Sequence, residues 1–243
     1  MSNDTRTPLG NRKPDPATAP DALTALKDEH DFVLTTMGRM SMEKNQAALI
    51  EAVALLREQD GARSDDPGDG TEDDSAQGLS IGLAIVGSGV LEGTLRARID
   101  SLGLCGHVEL LGQMDNPFPV LGGADLFVLP SLHEGQPVTL LEAMTLGTAV
   151  VASDLPGNRE LIALGYGVLS GTSPQDIAQA IRTALADPLR ARGTFDVQEH
   201  NARSLRDTLD AVLGSEALHQ QPKEDEASPR IRCSRGASQG AIA

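Results

Sequence analysis

The sequence predicts an α/β domain built on a Rossmann-like parallel sheet of about six strands, with helices on both faces. Short runs rich in Val, Ile and Leu alternate along the chain with longer segments of helical periodicity. Strands that alternate with helices form parallel sheets covered on both sides. Of the 243 residues, 40% are hydrophobic and only 2% aromatic, so we expect one domain with an aliphatic core.

The first elements precede an acidic stretch. Residues 21–29 fit a short helix. Phe32–Met37 reads as a buried strand that Gly38 ends. Residues 43–58 have the apolar spacing of a helix, and Ser41 precedes them as a plausible N-cap.

From residue 79 onward the alternation of strands and helices is regular. Ligands of such sheets bind at the carboxyl ends of the strands, so the loops that follow the strands are the candidate site. The predicted strands are Leu79–Val86, Val108–Leu111, Leu126–Leu129, Ala149–Ala152 and Gly167–Leu169. The predicted helices are Leu91–Leu102, Pro117–Gly122, Val138–Leu146, Asn158–Ala163, Pro174–Ala186 and 197–213.

Composition divides the chain into three parts. Residues 1–30 are predicted to be a mostly disordered N-terminal extension, and residues 214–243 a disordered tail. The domain is placed at residues 31–213. Within it, residues 59–78 are Gly, Asp, Glu, Ser and Pro with almost nothing to bury, which predicts an acidic disordered insertion.

Charge and composition exclude several classes of protein. The formal net charge is −15 and the pI about 4.6, which argues against nucleic acid as a partner. No apolar run reaches the length of a membrane span, and the N-terminus lacks the apolar segment of a signal peptide. Cys105 and Cys233 are interpreted as free thiols in a reducing compartment, so we expect a cytoplasmic protein.

Residues 131–160 carry the strongest functional signal. Glu134 and Glu142 lie on either side of the start of a predicted short helix, which glycine and proline mark. The first amides of a helix and its dipole favour an anion. A diphosphate at this point would have hydroxyl-bearing groups on either side, each able to donate to a carboxylate, which is the shape of a sugar nucleotide.

This stretch closely resembles the signature of GT-B glycosyltransferases of the large retaining family 4, in which two glutamates are separated by seven residues. The resemblance covers roughly residues 31–190, which correspond to the C-terminal, donor-binding half of such enzymes. Ala149 stands where the family often has proline. The matching positions besides the two glutamates are Gly135, Pro137, Leu140, Leu141, Ala143, Met144, Gly147, Val150, Val151, Ala152, Ser153 and Asp154.

The resemblance assigns the catalytic candidates. Gly38 and Arg39, followed by Lys44, are similar to the family element in which an arginine and a lysine hold the diphosphate of the donor. Both charges would neutralise the leaving group. Glu134 corresponds to the family glutamate near the transferred sugar. The alternative interpretation of Arg39 and Lys44 is two solvated basic residues at a strand–helix junction.

Further contacts to the nucleotide sugar are implied in the same way. Glu142 would accept hydrogen bonds from the ribose hydroxyls, and Gly135 lies beside the diphosphate-binding helix start. A loop after a strand would lie beside the base, although a simple turn explains it equally well. The helix amides are those of Val138, Thr139 and Leu140, and the loop is Gly112, Gln113 and Met114.

Several other polar or glycine positions have a structural interpretation. Gly87-Ser-Gly89 suggests a tight turn before a helix, because Glu92 stands where a dinucleotide fingerprint needs a third glycine. Asp125 is interpreted as structural, His133 as polar surface, and Asp154 with Asn158 as capping residues. No Cys, His or Asp spacing suggests a metal site, and no cofactor is expected.

The resemblance implies a glycosyltransferase that binds a nucleotide-diphosphate sugar and transfers the glycosyl group with retention to an acceptor hydroxyl. The acceptor-binding half is not found in this chain, so we expect a second chain to supply it. The alternative is a non-catalytic nucleotide-sugar binding module or a truncated remnant of a transferase. A nicotinamide dehydrogenase is disfavoured by the missing third glycine. The sugar, the base and the acceptor are not identified by the sequence.

Overall fold

The computed structural model describes residues 21–61, 80–163, 166–192 and 195–213. Most of the segments for which the sequence predicts disorder lie outside these ranges. They are the extension up to residue 20, the acidic stretch over 62–79 and the tail from 214.

The described residues form strands and helices in strict alternation through most of the chain. The strands are β1 Phe32–Met37, β2 Ile81–Val86, β3 Val108–Gly112, β4 Leu126–Leu129, β5 Ala149–Ser153 and β6 Val168–Ser170. The helices are α1 Asp21–Glu29, α2 Gln46–Gly61, α3 Glu92–Ser101, α4 Phe118–Gly123, α5 Val138–Thr145, α6 Pro156–Ile162, α7 Pro174–Ala186, α8 Pro188–Arg192 and α9 Val197–Leu213, with a short 3₁₀ helix at Met42–Lys44.

The six strands make one sheet in the order β3-β2-β1-β4-β5-β6, and all neighbours are parallel. In β1, Leu34 is paired with Leu83 of β2 on one side and with Leu126 of β4 on the other. The strand order reverses between β1 and β4, which is where ligands of doubly wound sheets bind. The Rossmann-like fold predicted from the sequence is confirmed.

Each face of the sheet is covered by helices. Successive side chains of a strand point to opposite faces. In β4, Leu126 and Val128 therefore pack in one cluster with residues of α2, α3 and α7, whereas Phe127 and Leu129 pack in another with residues of α5. The core is aliphatic apart from a few rings, as the composition predicts.

Helix α1 is part of the folded unit. Leu23 and Leu26 are buried in a cluster with Val33 of β1 and Ala84 of β2. The expectation that the domain begins at residue 31 is therefore corrected, because the packing extends it back to α1. The apolar pair was visible in the sequence, but its partners on the sheet were not.

Asp125 extends the pairing of β1 with β4. The amide of Val33 donates to Asp125 Oδ2 at 2.9 Å, and the amide of Asp125 donates to the carbonyl of Val33 at 2.9 Å. The carboxylate thus takes the place of a strand carbonyl just before β4 begins. This agrees with the structural role predicted for Asp125.

The helix predicted at residues 43–58 is interrupted near its start. A 3₁₀ turn ends at Asn45, whose φ of 55° is left-handed, and α2 begins at the next residue. Ser41 precedes the 3₁₀ turn but makes no side-chain capping bond. At its other end α2 runs to Gly61, into the stretch predicted as a loop.

Two features of the C-terminal part differ from the sequence prediction: an additional helix, α8, and the division of the chain into two compact units. Helix α8 was not predicted; it begins at Pro188, and proline is favoured at the first helical position. The chain divides into two compact units, Met1–Asp196 and Val197–Ala243. The sheet and α1–α8 belong to the first unit, and α9 belongs to the second, where Glu199 and Arg203 form an ion pair one turn apart at 3.9 Å.

None of the helices in the described part of the chain is long and apolar enough to span a membrane.

Candidate functional site

The candidate site lies at the carboxyl edge of the sheet, where the strand order reverses. The segment after β1 contains Gly38 to Asn45, and the segment after β4 contains Pro130 to Pro137. These two segments touch: the amide of Leu132 donates to the carbonyl of Glu43 at 2.7 Å. Residues that are about 90 positions apart in the sequence are therefore neighbours at the point where this fold binds ligands.

An ion pair joins two of the predicted catalytic residues. Lys44 Nζ donates to Glu134 Oε1 at 2.6 Å. The Glu134 side chain is 7% exposed and that of Lys44 26%. A carboxylate this deeply buried requires partners, and a short charge-assisted bond supplies one. The pair places one positive and one negative group side by side at the edge of the sheet.

Glu134 has a second partner that the sequence did not indicate. Ser131 Oγ donates to the same oxygen, Glu134 Oε1, at 2.6 Å. Ser131 is fully buried. Its only sequence signal was its position at the start of the 131–160 stretch, three residues before Glu134.

Asn45 ties three segments together at this edge. Its Nδ2 donates to the carbonyl of Pro130 at 3.1 Å and to the carbonyl of Thr172 at 3.0 Å. The segments after β1, β4 and β6 are thereby fixed to one side chain. Because asparagine tolerates the left-handed conformation better than most residues, both its backbone and its amide suit this position. Because Asn45 immediately follows Lys44, its left-handed backbone conformation helps to fix the position of the Lys44 backbone from which the side chain extends.

Arg39 does not take part in the Lys44–Glu134 ion pair. Arg39 is exposed, and its backbone carbonyl accepts a hydrogen bond from Gln46 Nε2 at 2.9 Å. Glu43, three residues before Gln46, has a lowered pKa, caused first by a hydrogen bond from the Ser41 side chain and also by the charges of Arg39 and Lys44. The two basic residues thus act on the same short segment, while only Lys44 contacts Glu134.

Glu142 lies on the second turn of α5 and is partly buried. Burial raises the pKa of its carboxyl group above the ordinary value. Leu140, Ala143 and Met144 on the same helix are buried. The Glu142 carboxylate is therefore partly desolvated and lacks the short ion pair that Glu134 has. Hydrogen bonds donated by a ligand would stabilise its charged form.

More of the backbone amides at the start of α5 donate hydrogen bonds within the chain than the sequence suggested. The amide of Val138 donates to the carbonyl of Gln136 at 2.9 Å, and the amide of Leu140 donates to the carbonyl of Pro137 at 3.1 Å. Of the three amides predicted to face a diphosphate, two are therefore engaged within the chain, which leaves the amide of Thr139 as the better candidate. Gly135 is exposed just before this turn.

The glycine turn after β2 packs against the segment after β1. A Cβ at Gly87 would lie 2.1 Å from the carbonyl oxygen of Gly38, and one at Gly89 would lie 2.4 Å from that of Met40. Neither position has room for a side chain. The structural interpretation of this turn is confirmed, and its role is to let two strand ends approach closely beside Gly38.

The loop after β3 continues the same edge. The amide of Gly87 donates to the carbonyl of Gly112 at 2.8 Å, and Ser88 Oγ lies 3.5 Å from Gln113 Oε1. Met114 packs against the apolar cluster around Val33. Gly112 and Gln113 are therefore placed along the site edge, whereas Met114 has an apolar packing role in addition to any contact with a base.

Asp154 and Asn158 do not cap α6. Asp154 pairs with Arg159 through a short ion pair. Asn158 is fully buried and donates from Nδ2 to the carbonyl of Ser153 at 2.8 Å. The N-cap is Leu155, which has no side-chain capping bond. The capping interpretation is therefore wrong for both residues.

Within the described residues, no group of three or more His, Cys, Asp or Glu side chains is arranged to hold a metal ion. His133 lies exposed on the loop before Glu134, consistent with polar surface.

A family model for group 1 glycosyl transferases matches residues 24–203, more than half of the chain. Among curated relatives, the N-acetylgalactosamine-N,N'-diacetylbacillosaminyl-diphospho-undecaprenol 4-alpha-N-acetylgalactosaminyltransferase of Campylobacter jejuni is 30% identical over 199 residues, which are 78% of this chain and 48% of that protein. The GDP-mannose-dependent alpha-(1-6)-phosphatidylinositol dimannoside mannosyltransferase of Mycobacterium tuberculosis is 28% identical over 164 residues, 66% of this chain and 37% of that protein. The chain thus spans less than half the length of these relatives.

Solved structures share the fold. Anabaena Alr3699/HepE, in complex with UDP and glucose, superposes with a TM-score of 0.57 at 24% identity, over 80% of this chain and 53% of that one. The pneumococcal O-GlcNAc transferase GtfA, in complex with UDP and GlcNAc, gives a TM-score of 0.55 at 19% identity, over 76% of this chain and 37% of that one. The described fold therefore corresponds to part of these larger chains.

Proposed function

The chain belongs to the group 1 glycosyl transferases, and on that premise we propose that it binds a nucleotide-diphosphate sugar and serves in the transfer of the glycosyl group to an acceptor hydroxyl. The observation that carries the proposal is the Lys44–Glu134 ion pair at the switch point of the sheet. It places a cation for the diphosphate beside a carboxylate for the sugar hydroxyls. The relatives named for sugar transfer, and the neighbours solved with UDP, support the same class of ligand.

In the proposed site, Lys44 and Arg39 neutralise the diphosphate. Lysine has three N–H donors, so Lys44 can keep its bond to Glu134 and also donate to a phosphate oxygen. Arg39 is exposed and able to reach a ligand. Both charges stabilise the diphosphate as the bond to the sugar breaks, which lowers the barrier to transfer.

The two glutamates orient the nucleotide sugar from opposite sides of the diphosphate. Glu134 accepts hydrogen bonds from hydroxyl groups of the transferred sugar, and Glu142 accepts them from the ribose. The partial burial of Glu142 strengthens such bonds, because water competes less in a desolvated site. The Thr139 amide and the start of α5 contribute to binding of the diphosphate, and Gly112 with Gln113 lie beside the base.

Transfer is proposed to proceed with retention at the anomeric carbon, as the resemblance to family 4 implies. It depends on electrostatic stabilisation of the departing diphosphate more than on an acid–base pair, and it uses no metal. These points distinguish the proposal from a metal-assisted transferase, and transfer that persists in EDTA would support it.

The acceptor-binding half is proposed to be supplied by a second chain. Large apolar side chains are exposed in the segments that follow four of the strands at the carboxyl edge, which suits a covered surface. These side chains are Met42 at 71%, Val90 at 91%, Phe118 at 43%, Leu132 at 46% and Val138 at 50% exposure.

The test is a thermal-shift and calorimetry screen of the full chain against UDP, GDP, ADP, CDP and their sugars. One nucleotide is expected to raise the melting temperature saturably. Lys44→Gln is expected to weaken binding of that nucleotide about tenfold, since the charge-assisted bond to phosphate is lost while an amide donor for Glu134 remains. Lys27→Gln, which changes an exposed lysine on α1, is the matched control and should leave the affinity unchanged.

No response to any nucleotide from the folded chain would contradict the proposal. Saturable binding without transfer, even after a matching acceptor half has been supplied, would instead identify the chain as a nucleotide-sugar binding module.

A further inference from the structure

We infer that Ser131 is a positioning residue that holds the Glu134 carboxylate in the orientation needed by the bound sugar. The inference rests on the proposed function, because it assumes that Glu134 contacts the sugar. It concerns a residue whose side chain is fully buried, so Ser131 acts through Glu134 and does not touch the ligand itself.

The geometry at Glu134 is asymmetric. Ser131 Oγ and Lys44 Nζ both donate to Oε1, each at 2.6 Å. Two bonds from different directions to one oxygen fix the rotation of the carboxylate group without occupying Oε2. Oε2 is therefore presented in a set direction, as an acceptor that recognises a sugar hydroxyl must be.

Ser131 is itself held from behind. Its carbonyl accepts a bond from Ser153 Oγ at 2.6 Å, and Ser153 ends the neighbouring strand β5. Asn158 on α6 donates to the carbonyl of Ser153 at 2.8 Å and lies 3.4 Å from Ser153 Oγ. The chain of bonds thus runs from α6 through the end of β5 to Glu134.

The polar character of this series of hydrogen-bonded side chains requires an explanation. Ser131, Ser153 and Asn158 are no more than 1% exposed. Alanine would fill almost the same space as either serine without the need for hydrogen-bond partners. A chain of buried polar groups that ends on a single carboxylate is explained if its purpose is the orientation of that carboxylate.

The experiment is a double-mutant cycle on the full chain with Ser131→Ala, Glu134→Gln and the double variant. Calorimetry measures a nucleotide sugar and its nucleoside diphosphate, and the pair used is the one that binds most tightly to the wild type in the screen of UDP, GDP, ADP, CDP and their sugars. Ser131→Ala is expected to weaken binding of the nucleotide sugar about tenfold and to leave binding of the nucleoside diphosphate unchanged. In the Glu134→Gln background it should cause little further loss.

The control is Ser101→Ala, which removes an exposed hydroxyl at the end of α3. If Ser131→Ala does not fold, Ser131→Cys replaces it, because the thiol is similar in size and only a weak donor. The same selective loss for the nucleotide sugar is expected from it.

Other outcomes overturn the inference in distinguishable ways. An equal loss for nucleotide sugar and nucleoside diphosphate, or an undiminished loss in the Glu134→Gln background, would show a merely structural role for Ser131. An unchanged affinity would show no role at all, with the proposed function intact. Failure of the wild type to bind any of the nucleotides or nucleotide sugars of that screen would refute the proposed function together with the inference.

Discussion

Glu134 and Lys44 form an ion pair, and both lie beside the space where a ligand is proposed to bind. Their pairing keeps a buried carboxylate neutralised, and it holds the lysine ammonium near the edge of the sheet. Breaking a buried pair by removal of one partner is strongly destabilising, because the remaining charge is left unpaired. Glu134→Gln, which keeps the shape, is therefore a better probe of binding at this site than removal of the side chain.

Glu142 predicts a pH dependence of stability. Burial raises its pKa above the ordinary value of 4.5, so the folded chain binds this proton more tightly than the unfolded chain. The stability that this provides is present below the unfolded pKa and is lost as the pH rises through the folded pKa. Relative to Glu142→Gln, the wild type should therefore lose stability as the pH rises from about 4.5.

Urea denaturation at a series of pH values measures this difference. Glu58→Gln, on the exposed surface of α2, is the control for the loss of one carboxylate charge. A constant difference between wild type and Glu142→Gln across the range would show that the carboxylate is not desolvated.

At the scale of the element, Asn45 forms the junction between the 3₁₀ turn and α2. Asn45→Gly keeps the left-handed backbone but removes both side-chain bonds, and we expect a loss of about 1–2 kcal/mol in the free energy of unfolding. Asn45→Ala should cost about 1 kcal/mol more, because alanine is disfavoured in this conformation. Chemical denaturation of the two variants measures both terms, and alanine as the less harmful change would contradict this explanation.

The glycine turn between β2 and α3 is a second junction, and it packs closely against the segment after β1. Gly89→Ala would place a Cβ 2.4 Å from a backbone carbonyl, so we expect about 1–3 kcal/mol of destabilisation. Gly93→Ala is the matched control, because nothing lies within 4 Å of its Cβ and the residue is on helix α3. It should be neutral or stabilising by up to about 1 kcal/mol. Thermal unfolding compares the two, and equal effects would contradict the proposed close approach.

At the scale of the whole molecule, α1 is predicted to be an integral layer of the first compact unit. Leu23 is fully buried, so Leu23→Ala should lower the free energy of unfolding by about 2–5 kcal/mol. Thr24→Ala, exposed on the same helix, should change it by less than about 0.5 kcal/mol. Denaturation monitored by circular dichroism measures both, and a minor effect of Leu23→Ala would return the boundary of the folded unit to residue 31.

Local signals in the sequence were sufficient for the fold class and for most elements. Phe32–Met37, Leu126–Leu129 and Pro174–Ala186 have the bounds predicted from the sequence. Hydrophobic periodicity is a property of neighbouring residues, so it survives without tertiary information. The interruption at Asn45 was missed because a left-handed residue inside a helical pattern leaves the periodicity unchanged.

The sequence by itself determined the family signature, the two glutamates and the lysine, because each has a residue type and a spacing that can be read along the chain. Only the tertiary structure decided that Lys44 pairs with Glu134, that Ser131 supports it, and that two of the three α5 amides are already engaged. These contacts join segments that follow different strands, or depend on the conformation of a turn. The register and order of the strands create such neighbours, and hydrogen bonds across them depend on distances and angles that no linear pattern contains.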